Sequence, residues 1–362
     1  MKVVFACGGT AGHINPAIAI AQILEKKYPC IEIIFFGRAN SLESDLVEKE
    51  GYRFISFEME SFKSKITIKN LLCAKKMFYA YKSAKNILNE IHPDAVIGTG
   101  GYVCFPILKA AISLKIPTAI HESNAIAGKS VKLLSKKCNQ IWLGFDCAKK
   151  DIKRKNKIKI TGNPIRESFR FEERHTERFQ MGLKDNDFLV LSFGGSGGAL
   201  HLNQAILDLW EMKLPSNWHF FHICGTKYEN MFKERKNKKS QKWVSYATNM
   251  PSLMQAADLL ICRSGAMTIT EIGYLQKPAI LIPSPNVKAN HQYHNAKALS
   301  NEGAAILINE TDLTPNRLYE EIKKMSENEN MRRTLCAKLI EFSPKNAENL
   351  ILEAFKSLIV FS

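Results

Sequence analysis

The sequence lacks the features that mark several other classes of protein. Its nine cysteines include no C-x-x-C pair, which argues against a zinc ribbon or a disulfide framework and fits a reducing compartment. The longest run without a charged residue, 188–207, contains four glycines together with Asn203 and Gln204. It does not resemble the apolar stretch of about 20 residues that a membrane-spanning helix needs. With 45% hydrophobic residues over 362 positions, we expect a globular chain that buries a full core.

Acidic residues are scarce in the first part of the chain only. Residues 1–160 contain 26 Lys and Arg against 13 Asp and Glu, whereas residues 161–362 contain 25 against 22. A one-sided basic domain indicates a polyanionic partner, such as nucleic acid, an anionic lipid surface or a phosphorylated substrate. Because no nucleic-acid-binding motif accompanies the charge, we expect a lipid surface or a phosphorylated substrate and no nucleic acid.

Short β-branched or apolar runs alternate with amphipathic stretches along the chain, which is the pattern of repeated βαβ units. Continuous apolar runs such as residues 188–193 suit parallel strands that helices cover on both faces. The pattern therefore predicts an α/β protein, which becomes mostly helical after Asp312. The predicted strands lie near residues 3–7, 31–36, 94–98, 117–120, 139–143, 157–161, 188–193, 218–224, 258–262, 278–282 and 304–308.

The two halves of the chain open on the same plan. Residues 3–21 and residues 188–206 each read as a strand, a glycine-rich loop and a helix with core spacing. This repeat predicts two Rossmann-like domains. Gly162, Asn163 and Pro164 break the pattern between them and mark the boundary.

The two glycine-rich loops are candidate anion sites. The first loop, residues 8–13, has no G-x-G-x-x-G, and Arg38 stands where a dinucleotide enzyme shows an acid. His13 ends this loop, and the residues alone leave it equally open whether His13 is a general base or a helix cap. The second loop, residues 194–198, has more glycines than one turn needs, so we favour a phosphate cradle that includes Ser196.

The segment 257–283 reads as a strand, a turn at Ser264-Gly265, a helix and a second strand. Free backbone N–H groups at the start of that helix suit a pyrophosphate. Glu271 lies one turn further in, where it can accept hydrogen bonds from ribose hydroxyls. Thr268 and Glu271 also match a capping box, and on the residues alone this second interpretation is favoured.

Three further polar clusters are candidates for ligand or metal binding. Residues 121–128, which follow a predicted strand, read as a site rather than a core, and residues 290–296 suit recognition of a sugar or base. The spacing of His291 and His294 is weak for zinc. Asp185-Asn-Asp187 resembles a D-x-D metal clamp but precedes its strand, at the wrong end of the sheet, so we expect no metal.

The ordered set of six motifs resembles that of glycosyltransferase family 28 and covers nearly the whole chain. The resemblance implies the GT-B fold, in which two Rossmann-like parallel-sheet domains face a cleft. It implies an N-terminal domain of residues 1–163, completed by a C-terminal helix at 343–362, and a C-terminal donor-binding domain of residues 164–342. Asn290 departs from the family's usual Asp. The motifs are GGTAGH (8–13), HESNAIAG (121–128), TGNPIR (161–166), GGSGGA (194–199), CRSGAMTITE (262–271) and NHQYHNA (290–296).

The resemblance also implies an activity. N-acetylglucosamine would pass, with inversion, from UDP-N-acetylglucosamine to the muramoyl sugar of undecaprenyl-pyrophosphoryl-MurNAc-pentapeptide (lipid I), giving lipid II for peptidoglycan synthesis. The enzyme would need no cofactor and would lie peripherally on the cytoplasmic face of the cell membrane, in a pathway that serves cell shape and division. Two alternatives stay open: a related transferase that forms glycolipids from diacylglycerol, and a non-catalytic nucleotide-sugar binding protein.

Site residues follow from the resemblance by motif. Glu271 would bind the ribose, Arg166 and Ser196 the diphosphate, and Ala247 the uracil through its backbone. Gln292 and Asn124 would hold the sugar hydroxyls. His13 is the candidate base, with Glu122 as the next candidate. The full set expected to bind UDP-N-acetylglucosamine is Thr10, Ala11, Gly12, Asn124, Arg166, Ser196, Ala247, Ala266, Met267, Thr268, Ile269, Thr270, Glu271 and Gln292.

Residues 68–88 predict a helix with two apolar faces. One face has core character. The other mixes large apolar groups with lysines, a combination that suits neither a core nor a solvated surface but does suit an interfacial helix. The alternative is a second packing surface from which the lysines reach out to solvent. We favour contact with an anionic phospholipid surface. The residues of this face are Ile68, Leu71, Leu72, Lys75, Phe78, Tyr79 and Lys82.

Overall fold

The chain forms two compact units. The computed structural model describes residues 1–61, 68–169, 174–195, 197–342 and 346–360. Unit 1 comprises Met1–Pro164 together with Asn346–Ser362, and unit 2 comprises Ile165–Lys345. Among the residues that the structure describes, no helix combines the length and the hydropathy needed to span a bilayer.

Unit 1 is built on a seven-stranded sheet in which every pairing is parallel. Its central strands are buried on both faces, as the continuous apolar runs require. The order across the sheet is β3-β2-β1-β4-β5-β6-β7. The strands are β1 Lys2–Ala6, β2 Glu32–Arg38, β3 Arg53–Phe57, β4 Ala95–Gly98, β5 Thr118–Glu122, β6 Gln140–Leu143 and β7 Ile158–Ile160.

The helices of unit 1 cover both faces of this sheet, and the last one comes from the far end of the chain. Ile351 and Phe355 of that last helix are fully buried in one cluster with Phe5 and Leu24. Gln140 adds a polar tie, because its Nε2 donates to Ser357 Oγ at 2.9 Å. The helices are α1 Ala11–Lys27, α2 Leu42–Lys49, α3 Ile68–Ile91, α4 Cys104–Ser113, α5 Lys129–Leu134 and the final Ala347–Val360.

Unit 2 repeats the plan with a six-stranded parallel sheet in the order β10-β9-β8-β11-β12-β13. Its strands are β8 Phe188–Phe193, β9 Trp218–Ile223, β10 Gln241–Val244, β11 Leu259–Cys262, β12 Ala279–Leu281 and β13 Ile306–Leu307. Its helices are α6 Arg174–Gln180, α7 Leu200–Leu209, α8 Met250–Ala256, α9 Ala266–Leu275, α10 His291–Asn301, α11 Pro315–Glu327 and α12 Glu329–Leu339. The final helix of unit 1 is accordingly α13.

The prediction of an α/β chain with two parallel sheets is confirmed. Each of the eleven predicted strands is present, and the two that the sequence missed are β3 and β10. Both are edge strands, and β10 is half-exposed along its whole length. The residues of β3 and β10 are mostly exposed or half-exposed, so neither strand carries a continuous apolar run to reveal it.

Each sheet has one place where its connections change direction. In unit 1 this place lies between β1 and β4, and in unit 2 it lies between β8 and β11. In open parallel sheets, ligands bind beyond the carboxyl ends of the strands at such a topological switch point. The loops that follow β1, β4, β8 and β11 are therefore the places to look for function.

Candidate functional site

His13 lies at the switch point of unit 1. Thr10, rather than His13, is the N-cap residue of α1, so His13 does not cap the helix. Its Nδ1 is 3.0 Å from Thr10 Oγ1, and its backbone carbonyl accepts a hydrogen bond from Thr99 Oγ1 at 2.7 Å. Gly100 has a φ of +103°, and a β-carbon there would lie 2.6 Å from His13 Cδ2. The imidazole thus sits, half-buried, between the loops that follow β1 and β4.

A carboxylate that the sequence did not reveal supports this first loop. Glu43, in the first turn of α2, is 1% exposed, and its Oε2 accepts a hydrogen bond from Gly9 N at 3.3 Å. Gly8 is held equally closely, since a β-carbon there would lie 2.5 Å from Glu43 Oε1. In the sequence, Glu43 reads as an ordinary acidic residue at a helix start, more than 30 positions from the loop it supports.

Glu122 ends β5 and organises the loop that follows. Its Oε1 accepts hydrogen bonds from Asn124 N at 3.0 Å and Asn124 Nδ2 at 2.9 Å, and its Oε2 accepts from Gly128 N at 2.7 Å. Burial raises the pKa of this carboxyl group, while the donors from Gly128 and Asn124 lower it. Both oxygens are engaged and the side chain is buried. This geometry suits a residue that orients Asn124 better than one that collects a proton from a ligand.

In unit 2, Arg166 and Glu271 form an ion pair. Arg166 Nε and Nη2 both donate to Glu271 Oε1, at 3.1 and 2.6 Å. Glu271 is 6% exposed, so burial raises its pKa, and the guanidinium opposes that rise. The N-cap of α9 is Gly265, which places Glu271 in the second turn. The capping-box interpretation of Thr268 and Glu271 is therefore wrong.

The start of α9 offers backbone donors. Ala266, Met267 and Thr268 are its first three residues, whose N–H groups have no acceptor within the helix. Ile269 and Thr270 differ, because both side chains are fully buried. The N–H of Ile269 already donates to Gly265 O, and Thr270 Oγ1 donates to Ala266 O. The expectation that Ile269 and Thr270 bind ligand is not supported by this geometry, since their polar groups serve the helix itself.

Helix α10 holds the Ser264-Gly265 turn through two hydrogen bonds to Ser264. Ser264 Oγ donates to Gln292 O at 2.8 Å, and Asn295 Nδ2 donates to Ser264 O at 3.2 Å. Gln292 Oε1 in turn accepts from Ser284 N at 2.9 Å, which fixes the direction of its amide group. Gln292 is thereby tied to the loops after β11 and β12.

The second glycine-rich loop follows β8 at the switch point of unit 2. Ser196 lies outside the described residues. Gly198 has a φ of +68°, and a β-carbon there would lie 2.4 Å from Cys224 O, so only glycine fits. Beneath the loop, Asn203 Nδ2 donates to the same carbonyl at 2.9 Å. Ala247 lies in the loop after β10, and so at the same edge of the sheet.

Asn203 belongs to a fully buried chain of polar groups. Its Nδ2 is used on Cys224 O, so its Oδ1, 3.1 Å from His222 Nε2, accepts from that nitrogen. His222 Nδ1, 2.8 Å from Ser192 Oγ, then accepts from the hydroxyl. Burial lowers the pKa of His222 to about 3, so the ring is neutral and the direction of every bond is set. The chain fixes the start of α7 against β9.

Helix α3 carries an exposed apolar face. Its inner side is buried at Cys73, Ala80, Ala84 and Leu88. The Nζ of Lys82 lies 4.7 Å from the centre of the Phe78 ring, and that of Lys75 lies 6.0 Å from the centre of the Tyr79 ring. The side chain of Ile68 lies outside the described residues. The large exposed side chains of this face are Leu71 (74%), Leu72 (56%), Phe78 (53%) and Tyr79 (58%).

Comparison with known proteins gives a consistent family. Residues 3–143 match the glycosyltransferase family 28 N-terminal domain, and residues 189–350 match the family's C-terminal domain. A relative from Acetivibrio thermocellus is 39% identical over 99% of this chain and 98% of its own length. One from Caldanaerobacter subterraneus subsp. tengcongensis is 37% identical over 99% of this chain and 100% of its own. Both are named UDP-N-acetylglucosamine--N-acetylmuramyl-(pentapeptide) pyrophosphoryl-undecaprenol N-acetylglucosamine transferase.

Solved structures share the fold. The crystal structure of Acinetobacter baumannii MurG superposes with a TM-score of 0.79 at 24% identity, covering 98% of this chain and 99% of that one. A putative UDP-N-acetylglucosamine 2-epimerase from Listeria monocytogenes gives a TM-score of 0.71 at 13% identity, covering 100% and 97%. At these identities the likeness concerns the GT-B fold alone.

Proposed function

This chain belongs to glycosyltransferase family 28, and from that premise we propose that it transfers N-acetylglucosamine from UDP-N-acetylglucosamine to lipid I. The product would be lipid II, the disaccharide precursor of peptidoglycan. The observation that carries the proposal is the similarity, at 39% identity over 99% of the chain, to a relative named for that reaction. The geometry of both switch points supports it.

Unit 2 has the groups that a nucleoside diphosphate needs. The N–H groups of Ala266, Met267 and Thr268 form the positive end of α9, which suits an anion. Arg166 carries a guanidinium, 42% exposed, that can turn toward phosphate oxygens while it stays beside Glu271. Glu271 keeps a second carboxylate oxygen for ribose hydroxyls. Gln292 and, in unit 1, Asn124 have amide groups of fixed direction for sugar hydroxyls.

The proposed reaction is a displacement with inversion. The acceptor hydroxyl oxygen forms a bond to the anomeric carbon, the bond from that carbon to the diphosphate oxygen breaks, and the electron pair leaves with UDP. His13 takes the proton of the hydroxyl. When His13 Nδ1 carries the hydrogen and donates to Thr10 Oγ1, Nε2 presents its lone pair for this purpose. The N-terminal dipole of α9 and Arg166 stabilise the charge that develops on UDP.

The first test is the reaction itself. Purified protein with UDP-N-acetylglucosamine and lipid I should give lipid II, measured by chromatography of the lipid fraction. Diacylglycerol in place of lipid I should give no product. A glycolipid from diacylglycerol would favour the related lipid transferase, and UDP-sugar binding without transfer to either acceptor would favour a non-catalytic binding protein.

The second prediction concerns Glu271 and the ribose. We expect Glu271→Gln to weaken UDP binding by about tenfold or more, because a hydrogen bond to a charged group contributes about 1.5–3 kcal/mol. Calorimetric titration would measure this. The control is a UDP analogue without the 2′ and 3′ hydroxyls, whose affinity should hardly differ between wild type and variant. An equal loss for UDP and the analogue would mean that Glu271 serves only to hold Arg166.

The third prediction concerns His13. Removal of a general base typically costs about 10²–10⁴-fold in rate, so His13→Ala should lower kcat by that amount and leave the dissociation constant of UDP nearly unchanged. The matched variant Thr10→Val keeps the imidazole but removes its hydroxyl partner and should cost less. Near-normal turnover of His13→Ala would exclude the role, and Glu122 would be the next residue to replace.

We also propose that the exposed face of α3 binds the cytoplasmic surface of the membrane, where lipid I lies. A cluster of large apolar side chains is rarely exposed to water without a binding role. Lys75 and Lys82 lie beside the aromatic rings of this cluster, as in helices that bind at a membrane interface. The net charge of +16 supports an anionic surface. Each lysine near such a surface contributes about 1 kcal/mol. The protein would then attach peripherally, through this exposed face of α3.

The fourth prediction tests this attachment. Wild-type protein should sediment with liposomes that contain phosphatidylglycerol at low salt and dissociate as salt rises. Replacing Leu71 and Phe78 with Ser and Lys75 and Lys82 with Gln should abolish sedimentation and leave UDP binding intact. The control replaces Phe179, which is 85% exposed in unit 2, with Ser and should change nothing. Unchanged sedimentation of the α3 variant would show that another surface is the anchor.

A further inference from the structure

A carboxylate with little solvent exposure, that of Glu310, links segments of unit 2 and has no part in the roles described so far. The Glu310 side chain is 9% exposed, and its Oε1 lies 2.6 Å from His201 Nδ1. Its Oε2 forms an ion pair with Arg263 Nη2, whose side chain is 12% exposed. Arg263 Nη1 also donates to Ile282 O at 3.1 Å, at the end of β12. We call His201, Glu310 and Arg263 the clasp.

The members of the clasp come from three separate segments that follow strands at the carboxyl edge of the sheet. His201 is in the first turn of α7, immediately after the glycine-rich loop that follows β8. Arg263 directly follows β11 and precedes the Ser264-Gly265 turn. Glu310 lies beyond β13. Since β8 and β11 border the switch point, the clasp joins its two sides.

The two helices that the clasp joins both present uncapped N-termini. Their N-cap residues are Ala199 and Gly265, which have no side-chain acceptor. Each N-terminus carries a partial positive charge, which a nearby anion stabilises. A buried carboxylate is costly unless it is paired. Glu310 is paired beside each helix start, with His201 in the first turn of α7 and with Arg263 just before α9.

We propose that Glu310 is a positioning residue that holds the start of α7 and the Ser264-Gly265 turn at the separation at which both helix N-termini serve one nucleoside diphosphate. It acts through His201 and Arg263 and does not touch the ligand. This inference deepens the proposed function, because it assumes that a diphosphate donor binds at this switch point. It assigns part of the affinity for the diphosphate to a residue that follows β13, outside the loops that would contact the ligand.

A simpler view of Glu310 makes the opposite prediction. A carboxylate near a diphosphate repels it, so removal of the charge would strengthen binding if electrostatic repulsion were its main effect. If the clasp positions the loops, removal of the charge releases them and weakens binding. The sign of the change therefore decides between the two, and the variant Glu310→Gln keeps the size and the hydrogen-bonding capacity of the side chain.

The experiment is calorimetric titration of the full chain with UDP and with uridine. We expect Glu310→Gln to raise the dissociation constant of UDP about tenfold, the effect of one charge-assisted hydrogen bond, and to leave that of uridine unchanged. His201→Phe, at a 63% exposed side chain, should act in the same direction. The double variant should lose no more than Glu310→Gln alone, because both changes break one unit.

Glu321→Gln is the matched control. Glu321 is 5% exposed and ion-paired with Arg317 at 3.0 Å and Lys324 at 3.2 Å, but both partners lie on its own helix, α11. Its replacement should leave the dissociation constants of UDP and of uridine unchanged. Tighter UDP binding by Glu310→Gln, or an equal loss for UDP and uridine, would overturn the inference alone. Should Glu310→Gln fail to fold, unchanged UDP binding by His201→Phe would overturn it. Absence of UDP binding by wild type would overturn the proposed function as well.

Discussion

The parallel pairing of β1 with β4, and of β8 with β11, is the constraint on which the candidate site depends. Parallel strands bring all their carboxyl ends to one edge of a sheet, and the reversal of connections opens a crevice there. Every loop discussed above leaves a strand at such an edge. Residues far apart in sequence, such as Thr99 and His13, become neighbours for this reason alone.

Buried carboxylates then hold these loops in place. Glu43, Glu122, Glu271 and Glu310 are each less than a tenth exposed, and each binds N–H groups or cations that belong to a loop at a strand end. A charge in such surroundings is tolerated only when its partners are fixed. The interactions that stabilise the buried carboxylate therefore also make the loop rigid. A rigid loop is what preorganised binding of an anion requires.

The sequence was informative wherever function or burial has a local signature. Continuous apolar runs located the buried strands, and glycine-rich turns located both switch-point loops. It was uninformative where an interaction joins distant positions. Nothing near Glu43 or Glu310 indicates that either one supports a loop, because each partner lies many residues away. The capping-box reading of Glu271 failed for a related reason: a short motif cannot say which residue begins the helix, and the structure gives that place to Gly265.

The last helix has a consequence for biosynthesis. Domains of a growing chain generally fold in order from the N-terminus. Unit 1 cannot follow that order, because α13 supplies Ile351, Ala354 and Phe355 to its core and is translated after unit 2. Unit 2 needs no later segment of the chain to complete it, since its residues are consecutive. Of the two units, the one that is translated first is thus the one that is completed second, and until then the apolar residues that α13 covers stay exposed.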